Sequence, residues 1–259
     1  MSYKTILVTE DDGVKTIMLN RPARRNAMTP EMQDELIAAL ERAATGHCRV
    51  VVITGAGEAF CAGLDLQHLQ AISDKSQAEH VADAERLTRL FRTLYELPKP
   101  TIAVVQGAAV AGGTGLATIC DFTLAAHGVK FGFTEVKIGF VPALVSAFLA
   151  LQIGDKRAKG LLLTGRLFSS EEAEQMGLVN EVVAAEELAE RAGVLAAQLK
   201  ANSPQSMAAT KKLMAKQNEA WLDAALTHAM TANAEGRGMH DFREGVAAFL
   251  EKRPPVWGR

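Results

Sequence analysis

Val50-Val51-Val52-Ile53-Thr54 and Thr101-Ile102-Ala103-Val104-Val105 are almost unbroken apolar runs, the pattern of β-strands covered on both faces. Such strands need helices above and below them, which demands crossover connections and a largely parallel sheet. The sequence between them supplies an amphipathic helix over about 76–96, ended by Pro98 and Pro100. Upstream, residues 4–10 and 14–20 read as two strands around Asp11-Asp12-Gly13. A helix starts at Thr29-Pro30-Glu31, where Thr29 can cap and Pro30 loses nothing by lacking an N–H. Met32, Leu36, Ile37 and Leu40 give that helix its apolar face.

Residues 55–69 read as a glycine-rich loop, and a helix is expected near 113–120. Short strands are expected near 122–125 and 129–133, followed by a helical stretch. Ser169 and Glu172 have the spacing of a capping box, Gly177 suits a helix C′ position, and Val179–Val183 reads as a last strand. Beyond it, helices are expected near 186–199, 204–217, 219–235 and 241–252, the last opened by Asp241 with Glu244 three residues on. The reading is α/β over about two-thirds of the chain, with an all-helical tail.

Composition narrows the function. A chain of 259 residues can bury a substantial core. A net charge of −2 and only 5% aromatics argue against a nucleic-acid or anionic-membrane surface as the main partner. Cys48, Cys61 and Cys120 are widely spaced with no C-x-x-C, which suggests reduced thiols. The six histidines show no metal-ligand spacing, so no metal is expected. With no apolar run of eighteen residues and no apolar signal core after Met1, a cytoplasmic protein is expected.

Two glycine-bearing segments stand out: Phe60-Cys61-Ala62-Gly63-Leu64-Asp65-Leu66 and Gly107-Ala108-Ala109-Val110-Ala111-Gly112-Gly113-Thr114-Gly115. Both are suited to presenting bare backbone, and the second opens a helix, whose first N–H groups are unpaired. Glycines at 112 and 113 would let a ligand approach closely. Each segment alone could equally be a turn or a packing device. Neither has the spacing of a dinucleotide fingerprint or of a phosphate loop. Downstream, Phe131-Gly132-Phe133-Thr134-Glu135 supplies one carboxylate, followed by the apolar Ile138–Val145. Such surroundings would raise its pKa, although pairing with Lys137 is the plainer alternative.

In this order and spacing the segments resemble the crotonase superfamily, the enoyl-CoA hydratases and isomerases. The likeness continues through Leu19-Asn20-Arg21-Pro22, Leu163-Thr164-Gly165-Arg166 and the closing Gly245 to Arg253. It implies a ββα spiral core over 1–195, binding acyl-CoA, and a helical region over 196–259 for oligomerisation and active-site cover. It further implies an oxyanion hole from the backbone N–H of Leu64 and of Gly112, and Glu135 as acid–base. Arg24, Arg25, Ala62, Gly63, Asp65, Leu66, Gly113 and Lys252 would bind substrate. Coenzyme A would arrive as part of the substrate with no separate cofactor, and the protein would be a homotrimer or a dimer of trimers.

One departure bears on the reaction. Many family hydratases carry a second glutamate where this chain has Gly115. The expected activity is hydration of a 2-enoyl-CoA, with double-bond isomerisation by the single Glu135 as the alternative. A catalytically inactive acyl-CoA-binding protein is a further one.

Overall fold

A computed structural model describes residues 3–258. The chain opens with an antiparallel hairpin, β1 (Ile6–Asp11) and β2 (Val14–Leu19). Helix α1 (Pro30–Thr45) follows, with Thr29 Oγ1 accepting from Met32 N and Pro30 in the first turn. Its buried Met32, Leu36, Ile37 and Leu40 are the residues its periodicity selects.

From there the chain alternates between two sheets. β3 (Val50–Gly55) and β4 (Ala59–Cys61) precede helices α2 (Leu66–Ile72) and α3 (Gln77–Tyr95). β5 (Thr101–Val105) and β6 (Ala108–Val110) precede α4 (Gly112–Ile119). β7 (Phe122–Ala126) and β8 (Lys130–Gly132) precede a 3-10 turn (Glu135–Ile138) and α5 (Ala143–Thr164). The larger sheet runs β1-β2-β3-β5-β7-β10, parallel from β2 onward, with β10 at Glu181–Val183. The smaller sheet runs β4-β6-β8-β9, where β9 is Leu167–Ser169 and pairs antiparallel with β8. This is the ββα repeat that the resemblance implies, and the strands read as doubly covered, β3 and β5, sit mid-sheet.

The remaining helices are α6 (Ser170–Met176), α7 (Leu188–Ala201), α8 (Pro204–Arg237) and α9 (His240–Leu250). Leu222, Leu226 and Ala229 of α8 enter the main core, so the helical tail and the sheets share one apolar interior. The division at 195/196 falls inside α7; the first break after it is at Asn202–Ser203. The outer limits 1 and 259 lie outside the described residues.

Several elements differ from expectation. The supposed loop 55–69 contains β4 and the start of α2, because Asp65 caps α2 by accepting from Gln67 N and His68 N. The two helices expected over 204–217 and 219–235 are the single 34-residue α8; no glycine or proline interrupts 205–235. α9 begins one residue before Asp241 and is capped at Met239 without a side-chain bond. Asp241 instead accepts from Gly258 N, and Glu244 pairs with Arg253. Ser169 does cap α6, but Glu172 turns to Arg166, so the box is half made. The complete box is Ser76 with Glu79 at the start of α3. Gly177 ends α6 at φ 83°, as its position suggested.

Candidate active site

The two glycine segments meet. Gly63 adopts φ 88°, and a Cβ there would lie 2.9 Å from Val110 O and 3.4 Å from Gly112 N. No side chain fits between the loops, so their backbones close on one another. Met28 N donates to Gly63 O and Asp65 N donates to Met28 O, an isolated parallel bridge that fixes Leu64 between them. On the other side Ala111 holds φ 53° and ψ −126°, a conformation costly for a residue with a Cβ. Its N–H is secured by Gly132 O at 2.6 Å, and the twist delivers the chain into α4. The N–H groups of Leu64 and Gly112 have no acceptor among the described residues.

Both residues line a cavity of about 430 Å³. Glu135 lines it too, from the first residue of the 3-10 turn that follows β8. Glu135 is 8% exposed, and its Oε2 has no hydrogen-bond partner among the described residues. Lys137, the alternative partner, makes no ion pair with it. Burial lifts the carboxyl to about 7, opposed only by a hydrogen bond from the backbone. The wall beside it is Ile138, Phe140 and the segment from Val141 to Val145, the apolar stretch singled out in the sequence.

Of the other residues that the resemblance implicates, Arg24, Arg25, Ala62, Asp65 and Leu66 line the cavity. Arg24 and Arg25 are exposed, and neither guanidinium is engaged within the described chain. Asp65 works structurally as well, capping α2 and pairing with Arg21 at 3.0 Å. Burial pushes its carboxyl up, but Arg21 and the His68 and Gln67 N–H groups outweigh that and hold it below the ordinary value.

Three residues stand apart. Gly63 supports the site from behind, at the loop contact. Gly113 faces away from the cavity: a Cβ there would lie 2.1 Å from Cys61 O, so this glycine serves packing rather than ligand approach. Lys252 is exposed beyond α9 and does not line the cavity. Asp121 has a scaffold role, accepting from Thr101 N, Thr101 Oγ1 and Lys211 Nζ. His68 lies in α2 and turns to Asp83, 2.9 Å away. No cluster of three or more His, Cys, Asp or Glu suited to a metal occurs among the described residues.

Gly115 shows what replaces a second carboxylate. A Cβ there would lie 2.7 Å from Val145 Cγ1 and 3.3 Å from Phe91 Cζ, so the space is filled with hydrocarbon. The cavity is completed by Phe249 and Leu250 of the closing segment and by Leu69, Leu87 and Asn233, which no local motif marks. A signal that could have found Asn233 is its place as the polar member of the stripe Leu222, Leu226, Ala229, Asn233 on α8.

The sequence model of the family described as enoyl-CoA hydratase/isomerase matches residues 9–259. The chain belongs to the enoyl-CoA hydratase/isomerase family. Within the family it is 44% identical to a Thermus thermophilus protein named "Putative enoyl-CoA hydratase", over 95% of this chain and 98% of that one. It is 32% identical to the 2,3-dehydroadipyl-CoA hydratase of Escherichia coli, over 96% and 97% of the two chains. Among solved structures, an enoyl-CoA hydratase from Mycobacterium avium subsp. paratuberculosis superposes with a TM-score of 0.89 at 30% identity, covering 100% of both chains. The fold is thus that of the crotonase superfamily, and the chain is an enzyme of the hydratase/isomerase family. No helix among the described residues is long and apolar enough to cross a membrane.

Proposed function

We propose that this enzyme hydrates 2-enoyl-CoA thioesters to 3-hydroxyacyl-CoA, with Glu135 as its one proton-transfer group and the N–H groups of Leu64 and Gly112 as its oxyanion hole. One observation carries the reading: two acceptor-free peptide N–H groups and a buried carboxyl of pKa about 7 share one apolar cavity. The hydratase names of the two relatives support the direction of the reaction.

Ionised Glu135 takes a proton from water as the water oxygen bonds to C3. The C2–C3 π electrons shift toward the thioester, whose oxygen becomes the enolate oxygen. Leu64 and Gly112 hold that charge with dipoles already in place, on the order of 3 kcal/mol per donor. Protonated Glu135 then delivers its proton to C2 as the carbonyl re-forms. One water has added and the carboxylate is regenerated. Arg24 and Arg25 at the rim suit the phosphates of coenzyme A, which enters as part of the substrate with no further cofactor. Lys252 would reach the nucleotide end of a ligand held by a neighbouring subunit.

The assembly belongs to the same reading. The helical tail would build a homotrimer, alone or as a dimer of trimers. Phe249 and Leu250 support this, since they line the cavity while remaining 59% and 38% exposed. A second copy packed there would close the site.

A specific observation also favours isomerisation. With Val145 and Phe91 filling the space beside Gly115, a single carboxylate serves the site, which suits moving a proton between C2 and C4. Incubation with 2-enoyl- and 3-enoyl-CoA in D₂O separates the two. Hydroxyacyl product with deuterium at C2 supports hydration. A shifted alkene without water addition transfers the assignment to isomerase.

A further inference from the structure

Asn233 is the one polar side chain that α8 contributes to the cavity, and it is 3% exposed. Its Oδ1 accepts from Arg237 Nε at 3.1 Å, one turn further along the helix. The partner fixes the amide's orientation, because only an oxygen can face that donor. With Oδ1 so engaged, Nδ2 has no partner among the described residues and is the atom of this cavity-lining side chain left to meet a ligand.

What lies behind Asn233 sharpens its character. Arg237 is fully buried, with its guanidinium 5.7 Å over the Phe140 ring. Nη1 is ion-paired with Asp83 Oδ2 at 2.5 Å, and Nη2 has no acceptor among the described residues. Asp83 thus turns Oδ2 to Arg237, while His68 Nε2 and Arg86 Nη1 converge on its Oδ1. Behind the cavity, then, Arg237 keeps one donor without an acceptor, and Asn233 brings another to the cavity wall. An unmatched donor is costly in an apolar enclosure, and an oxygen arriving beside Asn233 would relieve that cost there.

We infer that Asn233 is a specificity-determining residue, its amide nitrogen binding an oxygen carried on the acyl chain, so that the preferred substrates are enoyl-CoA esters bearing a hydroxyl or carboxylate beyond the double bond. The inference rests on the acyl-CoA reading above and names the substrate class of that same site. Arg24 and Arg25, at the exposed rim, mark the coenzyme A entrance, whereas Asn233 is deep in the interior. An oxygen on the acyl group meets Asn233 only from within.

The test uses saturated, unreactive ligands, so that binding is read separately from turnover: hexanoyl-, 6-hydroxyhexanoyl- and adipoyl-CoA, titrated calorimetrically into the full chain. The wild type is expected to bind the oxygen-ended esters roughly ten-fold or more tightly than hexanoyl-CoA, the difference a buried hydrogen bond makes. Asn233→Leu should erase that margin while leaving hexanoyl-CoA binding unchanged or tighter. Asn233→Asp, which keeps an acceptor toward Arg237, should weaken adipoyl-CoA more than the hydroxyl ester. If only the hydroxyl ester gains, the acceptor is neutral; if adipoyl-CoA gains most, it is a carboxylate.

Equal wild-type affinity for all three esters overturns the inference. So does a uniform loss across all three in Asn233→Leu, which would mark a structural role. Should that variant lack a cooperative melt, the wild-type comparison and Asn233→Asp decide. Preference in binding without any hydration or isomerisation product leaves the inference standing and removes the reaction. Failure of every ester to bind removes both.

Discussion

Glu135 is a buried, unpaired carboxyl, and its burial carries a cost to folding. Its folded-state pKa of about 7 lies above the ordinary carboxylate value, so from pH 4.5 to 7 the native state binds more protons than the unfolded one. Stability contributed by the neutral form is present at low pH and is lost as pH rises through that window, by about 3 kcal/mol in all. Glu135→Gln should therefore melt no lower than wild type at pH 8, an advantage that disappears near pH 5. Turnover of enoyl-CoA should fall about 10²- to 10⁴-fold in that variant. In the wild type, kcat/KM should rise with pH toward a plateau above about 7, read from initial rates across pH 5–9. A limb near 4.5 would mean that the proton is transferred by a carboxyl with its ordinary, unshifted pKa. Gly113 is the contrasting residue: Gly113→Ala drives a Cβ into the Cys61 carbonyl and should cost about 3 kcal/mol or more, seen as lost thermal stability.

Between elements, the contact of α4 with α5 and α3 decides how many carboxylates the site can hold. Gly115→Glu must displace Val145 Cγ1 and the Phe91 ring and would bury a charge among hydrocarbon. It should lower the melting temperature without raising the hydration rate, and adding Val145→Ala should recover part of the stability. Thr29→Ala, at the cap of α1, should cost about 1 kcal/mol in denaturant unfolding and leave kcat unchanged. These elements also show how far local sequence reached. The Thr29-Pro30 start, the Gly177 stop and both central strands were legible because their signals are short-range. Gly112-Gly113-Thr114-Gly115 looked like one ligand-presenting unit, yet Gly112 faces the cavity, Gly113 meets Cys61 and Gly115 meets Val145. Successive residues of a helix point about 100° apart, so one motif divides into three roles only once its neighbours are placed.

At the scale of the whole molecule, α8 and α9 leave Leu213, Met214, Trp221 and Phe249 exposed while their other faces pack into the core, and Trp257 after α9 is exposed too. Apolar exposure on this scale fits a surface that another copy covers. Sedimentation is expected to give a mass three or six times 27.7 kDa, and a concentration-independent single-chain mass would remove the trimer. The sequence by itself determined the strand–helix alternation, the Thr29 cap and the Gly177 stop, each written in residues within a few positions of one another, while the grouping of the two glycine segments with Glu135 came from their order along the chain and its resemblance to a family. The tertiary structure alone decided that Glu135 is buried unpaired, that Gly115 is walled by Val145 and Phe91, and that Asn233 reaches the cavity from about a hundred residues away. Burial and closure depend on which distant side chains fill a given volume, and no local spacing encodes that.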